Sequence, residues 1–258
     1  MTNLTRTLCI VMLLFFFGKE SALAQKGLLG QEIGIVAGPV AYYTDYGLRY
    51  NMETNTSNTG IGVGLVYYIN FAYRADCNCY TRDTYFNDHF RIRAEVDYHW
   101  GELNHFGPIA RNEGPNGLLR NMIGSTKVFE MGAHLEYYPF SIRDYTAYAY
   151  PISPFASLGF NFVEYDPYTY SELGEPLEDY LFHTFQGGVS QEAGSTWSIV
   201  LGIGTRYKVA PFSDLVVNLQ WRYYNTDWID GLDHDNPQNK FNDMMFWLNF
   251  GYIYYLNF

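Results

Sequence analysis

Residues His89–Trp100 read HFRIRAEVDYHW, and from Phe90 onward apolar residues alternate with charged residues or His. A strand sends successive side chains to opposite faces, so this stretch has one oily face and one ionic face. The fold follows from which face meets lipid, a core or water.

The rest of the chain leans the same way. Of 258 residues, 19% are aromatic and 17% charged, with 25 Tyr, 19 Phe and 24 Gly. Tyr and Phe favour strands and Gly punctuates them. The start, MTNLTRTLCIVMLLFFFGKESALAQ, has Arg6, an apolar run from Leu8 to Phe17 and Ala22-Leu23-Ala24 before Gln25. That is the pattern of a signal peptide, its run too short to span a bilayer. We expect residues 1–24 to be removed and 25–258 to form one domain. Cys9 lies within the run rather than at the cleavage point, which argues against a lipoprotein.

The formal net charge is −11, and losing Arg6, Lys19 and Glu20 takes it one unit further. Nucleic acid is therefore not an expected partner. Cys77 and Cys79 stand as Cys-Asn-Cys, closer than zinc sites usually place paired cysteines. A local disulfide in an oxidising compartment, or two plain thiols, are the readings left.

In TGIGVGLVYYINF the large residues Ile61, Val63, Leu65, Tyr67, Ile69 and Phe71 recur every second position, with glycines at 60, 62 and 64 between. The period is two, and glycine this dense weakens a helix. Eight such strands are expected, near residues 31–42, 59–71, 90–100, 128–138, 152–163, 196–209, 214–224 and 243–258. The connections at 43–58, 101–127, 164–195 and 225–242 are long and polar, and those between them mostly shorter. This is the layout of an outer-membrane barrel with four long extracellular loops.

Alternation alone does not say which face is outside. Export, aromatics collecting at strand ends (Tyr98, Trp100, Tyr137, Trp221, Tyr223) and the final strand FWLNFGYIYYLNF decide for lipid outside. Phe250, Tyr252, Tyr254, Leu256 and Phe258 form a C-terminal stripe resembling the signal by which outer-membrane barrels are recognised for insertion. The lumen is then expected to hold Arg91, Arg93, Glu95, Asp97, His99, Glu130, His134, Glu136, Arg206 and Arg222. Eight strands leave a lumen that side chains can fill, and charges there must pair. A register between the third and fourth strands pairing Arg93 with Glu136, Glu95 with His134 and His99 with Glu130 would do so.

Other residue sets carry the side chains of a reactive or binding site, and each has a plainer reading. His99, Glu130, His134 and Glu95 have the side chains of a zinc site or proton relay, but a salt-bridge network already accounts for them. Asp230, Asp233 and Asp235 in DWIDGLDHDNPQN are weak calcium candidates, since no complete calcium loop is present. Glu164, Asp166, Glu172, Glu175, Glu178, Asp179 and Glu192 make the third loop acidic without a Lys or Arg. Their repulsion would be relieved by divalent cations bridging to lipopolysaccharide phosphates. His183 with Asp179 and Ser190 or Ser195 has the members of a hydrolase triad, with nothing in the spacing to bring them together. Gly60, Gly62 and Gly64 are not a nucleotide loop, because the motif fails at Leu65.

The segments NTGIGVGLVYYINFAYRADCNCYTRDTYFNDHF, EYYPFSIRD, GSTWSIVLGIGTRYK and FWLNFGYIYYLNF resemble a family of poorly characterised outer-membrane β-barrel proteins of the Bacteroidetes. The resemblance implies an outer-membrane location and carries no catalytic residue or cofactor. Some members bear the label glutamate dehydrogenase, which the absence of a dinucleotide fingerprint here contradicts. We expect a non-enzymatic barrel with a plugged lumen, an envelope scaffold or a subunit of a secretion or assembly complex. Its partners would be lipid, lipopolysaccharide, the barrel-assembly machinery and other envelope proteins. A small pore and a lipid-modifying enzyme are the alternatives.

Overall fold

The computed structural model describes residues 29–48, 51–55, 57–71, 85–112, 117–233 and 241–256. The leader, Cys77, Cys79, Asp235 and Phe258 lie outside them. Eight strands follow in chain order: β1 (Gly30–Tyr43), β2 (Thr59–Asn70), β3 (Phe90–Asn104), β4 (Met122–Tyr137), β5 (Ile152–Ser171), β6 (Gly194–Ala210), β7 (Ser213–Tyr224) and β8 (Met244–Tyr255). Each pairs antiparallel with its neighbours, and β1 closes on β8. Closure leaves no free edge in the wall, the condition for a sheet to sit in lipid.

Period-two sequence becomes period-two burial. Along β3, Arg91, Arg93, Glu95, Asp97 and His99 are buried, while Ala94, Val96, Tyr98 and Trp100 are exposed. Inward glycines leave room for large inward neighbours. A Cβ on Gly62 would lie 2.3 Å from His99 Nδ1, and one on Gly64 would lie 2.1 Å from Asp97 Oδ1.

Two expectations change. β3, β4 and β5 run further than expected, to Asn104, from Met122 and to Ser171. Their charged outer segments, with Lys127, Glu164 and Asp166, read as loop only if a strand must end at the lipid. The β3–β4 register is also displaced by two residues: Arg91 faces Glu136, Arg93 faces His134 and Asp97 faces Glu130. A shift of two keeps every side chain on its face, so the hydrophobic pattern is blind to it.

The β1–β8 ladder has a gap. Pairing runs to Ala37–Phe250 and resumes at Val40–Trp247, skipping Gly38 and Pro39. Proline has no N–H to give the ladder. Beside the gap the Trp247 indole N–H donates to the Gly38 carbonyl at 3.3 Å.

Short helices occupy the connections: α1 (Met52–Asn55), α2 (Tyr85–His89), α3 (Pro108–Asn112) and α4 (Ile142–Thr146). Ser141 caps α4 by accepting from the Asp144 N–H, and α4 buries Ile142 and Tyr145 at the short-turn end. At the other end the apolar core continues out of the barrel into the long loops, through Tyr46, Leu103, Met122, Leu181, Phe185, Ile229 and Leu232.

Candidate functional site

The lumen holds two linked ionic groups, because inward positions on β1, β3, β4, β6 and β7 all carry charge. In the half nearer the long loops, Arg222 of β7 reaches Glu95 (2.8 Å), Asp97 (2.9 Å) and Glu130 (2.8 Å). Glu130 also accepts from Tyr224 OH at 2.6 Å, Asn161 Nδ2 at 2.9 Å and Ser198 Oγ at 3.2 Å. In the half nearer the short turns, Glu32 of β1 binds Arg91 (3.1 Å) and Arg206 (2.6 Å). Asp214 takes Lys208 (3.2 Å), Arg206 (3.4 Å) and the Tyr255 hydroxyl (2.7 Å). Arg93 joins the halves, at 2.8 Å from Glu95 and 3.2 Å from Glu136. Charge-assisted bonds of this kind offset desolvation that an unpaired charge could not survive.

Outside, the pattern inverts. Ile203 is 65% exposed and Ile35 62%, while Arg206 is 0% exposed. Apolar side chains ring all eight strands and the charges sit within. In water this would be inside out, and in a bilayer it is the stable arrangement. The chain is an integral outer-membrane protein.

No protein-family model matches the chain, and no curated protein is similar to it. Among solved structures it is similar to Ail, the attachment invasion locus protein of Yersinia pestis, in complex with the heparin analogue sucrose octasulfate, at 13% identity over 88% of this chain and 99% of that one, TM-score 0.44. Neisserial surface protein A gives 13%, 88%, 97% and 0.46. The outer membrane enzyme PagL gives 9%, 86%, 98% and 0.36. Likeness at these scores carries no conclusion about activity.

Of the ten lumen residues expected from sequence, all are buried inward. The pairings within the β3–β4 hairpin are another matter. Arg93 does reach Glu136, but diagonally. Glu95 meets Arg93, Arg222 and Gln220 rather than His134, and Glu130 meets Arg222 rather than His99. Barrel closure brings β7 across the lumen, and that partner is invisible when one hairpin is read alone.

Glu95, Glu130 and His134 of the zinc-like set are spent on other contacts, while among the described residues neither ring nitrogen of His99 has a hydrogen-bond partner. His134 Nδ1 lies 2.6 Å from Arg93 Nη2, and its Nε2 lies 2.8 Å from Asn161 Oδ1. Arginine can only donate, so Nδ1 accepts and Nε2 carries the proton. His99 packs edge-on against Trp247 at 4.6 Å between ring centres. Sequence reading missed Glu32, Lys208 and Asp214, although each sits on the inward parity of its strand.

The acids of the long loops divide into two kinds. Asp166, Glu172, Glu175, Glu178, Asp179 and Glu192 are exposed. Asp230 is buried and accepts backbone N–H bonds from Asp45 (2.9 Å) and Leu232 (2.8 Å), stapling the fourth loop to the first. Asp233 is exposed and does not join it. Asp243 is buried likewise and accepts from the Ile229 N–H at 2.9 Å. Burial pushes Asp230 up to about 7 and holds Asp243 well above the usual carboxylate range. His183 is exposed, and among the described residues no hydrogen bond joins it to Ser190 or Ser195. Asp45 carried no sequence signal because its partner Asp230 is distant in the chain and both lie in loops without a period, and Asp243, at the head of the expected last strand, meets a loop N–H that the strand pattern does not announce.

Proposed function

We propose that this chain is a non-enzymatic outer-membrane barrel with a sealed lumen, acting as an envelope scaffold or as a subunit of a larger outer-membrane complex. The observation that carries the reading is Arg222, which reaches across the lumen to carboxylates of β3 and β4. A barrel that spends its interior on internal pairing has its outer surfaces left for work. Those surfaces are the acidic rim of the long loops and, at the opposite end, the exposed face of α2 with Tyr85 and Phe86. The resemblance to Bacteroidetes outer-membrane barrels, with its mislabelled relatives, belongs to this reading. So do export by the leader, insertion through recognition of the C-terminal stripe, and contact with lipopolysaccharide and other envelope proteins.

Planar-bilayer recording of the refolded barrel tests the sealed lumen. No unitary conductance is expected, and stable single-channel steps would replace this reading with a pore. Purification in mild detergent tests the second half, with a defined companion expected and a protein that always runs alone counting against a subunit.

A further inference from the structure

We infer that helix α2, at the end opposite the cap formed by the long loops, lies in the phospholipid leaflet, with Tyr85 and Phe86 set between headgroups and acyl chains. This deepens the proposed function by naming what covers the exposed face of α2, and it rests on the lipid-facing orientation of the wall.

Position carries the argument. At this end the outward residues of β3 and β4 are Phe90 and Tyr137, which face each other across the ladder. Phe71 continues the outward parity of β2. The Phe86 ring stacks on Phe90 with centres 4.9 Å apart and lies 5.4 Å from Phe71. The Tyr85 hydroxyl shares a hydrogen bond with the Tyr137 hydroxyl at 2.7 Å. Helix α2 therefore rests against the outside of the wall, spread over three strands. The mouth of the lumen has a different cover in α4, which buries Ile142 and Tyr145 and brings the Tyr145 ring to 5.2 Å from Lys208 Nζ. Tyr85 is 62% exposed and Phe86 47%. An aromatic face left open on this side of the wall continues the surface that already meets lipid, and aromatic side chains gather where a barrel leaves the hydrocarbon.

The polar groups of α2 fit that depth. Asp88 pairs with Arg143 of α4 at 3.2 Å, and His89 Nδ1 meets the Tyr138 carbonyl at 2.6 Å. Groups already bonded within the protein lose little where water thins out. Tyr85 has the apolar ring and polar tip that suit a membrane interface. The ion pair in turn keeps the helix out of the hydrocarbon centre, where charge is costly. Short connections of outer-membrane barrels face the periplasm, and the leaflet on that side is phospholipid rather than lipopolysaccharide.

The test puts the photoreactive amino acid p-benzoylphenylalanine in place of Phe86 in the full chain, irradiates intact outer membranes and identifies the adducts by mass. The same residue in place of Ile35, exposed on the wall, and of Asp144, exposed on α4, sets the lipid and water references. Phospholipid adducts are expected at position 86 in a yield comparable to position 35 and several-fold above position 144. A yield no higher than at 144, an adduct to lipopolysaccharide, or a discrete cross-link to another protein would each overturn the inference. The protein cross-link would leave the subunit reading standing, and channel steps in bilayer recording would remove the sealed lumen without moving α2, so the two claims fail separately. If substitution at 86 does not give the heat-modifiable folded band, the same residue in place of Tyr85 decides the matter.

Discussion

Arg222 is the single side chain on which most of the outer half of the lumen depends. Arg222→Ala leaves Asp97 without its guanidinium partner and takes one from Glu95 and Glu130. Breaking a buried pair from one side costs about 3–5 kcal/mol, so the urea midpoint of the folded band should fall sharply. Adding Asp97→Asn to that variant should recover part of the loss, because the stranded charge goes with it. Asp230 makes a prediction of opposite character. An unfolded aspartate ionises near ~3.9, and in the cap the value is about 7. A raised carboxylate stabilises most below the unfolded value, and that contribution fades as pH rises towards the folded one. In chelator, protease cleavage of the long loops should therefore speed up from pH 5 to pH 8, and Asp230→Asn should shrink the difference. Equal rates at both pH values would show that Asp230 does not hold the cap.

At the scale of the strand, the sequence was most readable where one rule governs. Alternation in stretches such as Phe90–Trp100 gave eight strands and their inward faces, because lipid on one side and ions on the other punish a one-residue slip. The register was not readable, since a two-residue slip leaves the alternation intact and what separates the registers is contact with β7 and β8. Strand length was misread for β5 because Glu164 and Asp166 are charged, yet the β4–β5 ladder continues through both of them to Ser171. The register yields a direct check. Tyr98 lies opposite Phe129, and a pairing displaced by two would place it opposite Met131. Cysteines at 98 and 129 should cross-link under mild oxidation, since directly opposed Cβ atoms lie about 4.5–5.5 Å apart. Cysteines at 98 and 131 should not, and the reverse result would restore the register expected from sequence.

The whole molecule is a barrel with an ordered lid built from its own loops. Asp230 holds the fourth loop to the first, the Ser190 and Asp233 backbones tie the third to the fourth, and Thr126 of β4 donates to Ile229. Segments joined in this way open as a unit. Asp230→Ala, which leaves two backbone N–H groups unmet, should raise the cleavage rate of the first, third and fourth loops together, with the heat-modifiable band retained. Acceleration in the fourth loop alone would mean that the loops are independent. None of this was readable in the sequence, where the same residues form polar stretches without a period.

The interruption at Gly38 and Pro39 has its own consequence for how this closed wall breathes. Every other seam of the cylinder is a continuous run of paired residues or, between β6 and β7, is irregular only close to the short turn. Only the joint between the two chain ends is missing rungs halfway along. Deuterium should therefore enter first at the amides flanking that joint, near Val40 and Phe250, ahead of residues at the same depth in β4 and β5. Pro39→Val, which returns an N–H to the strand, should slow that entry. Uniform exchange around the cylinder would mean that the indole of Trp247 makes good what proline takes away.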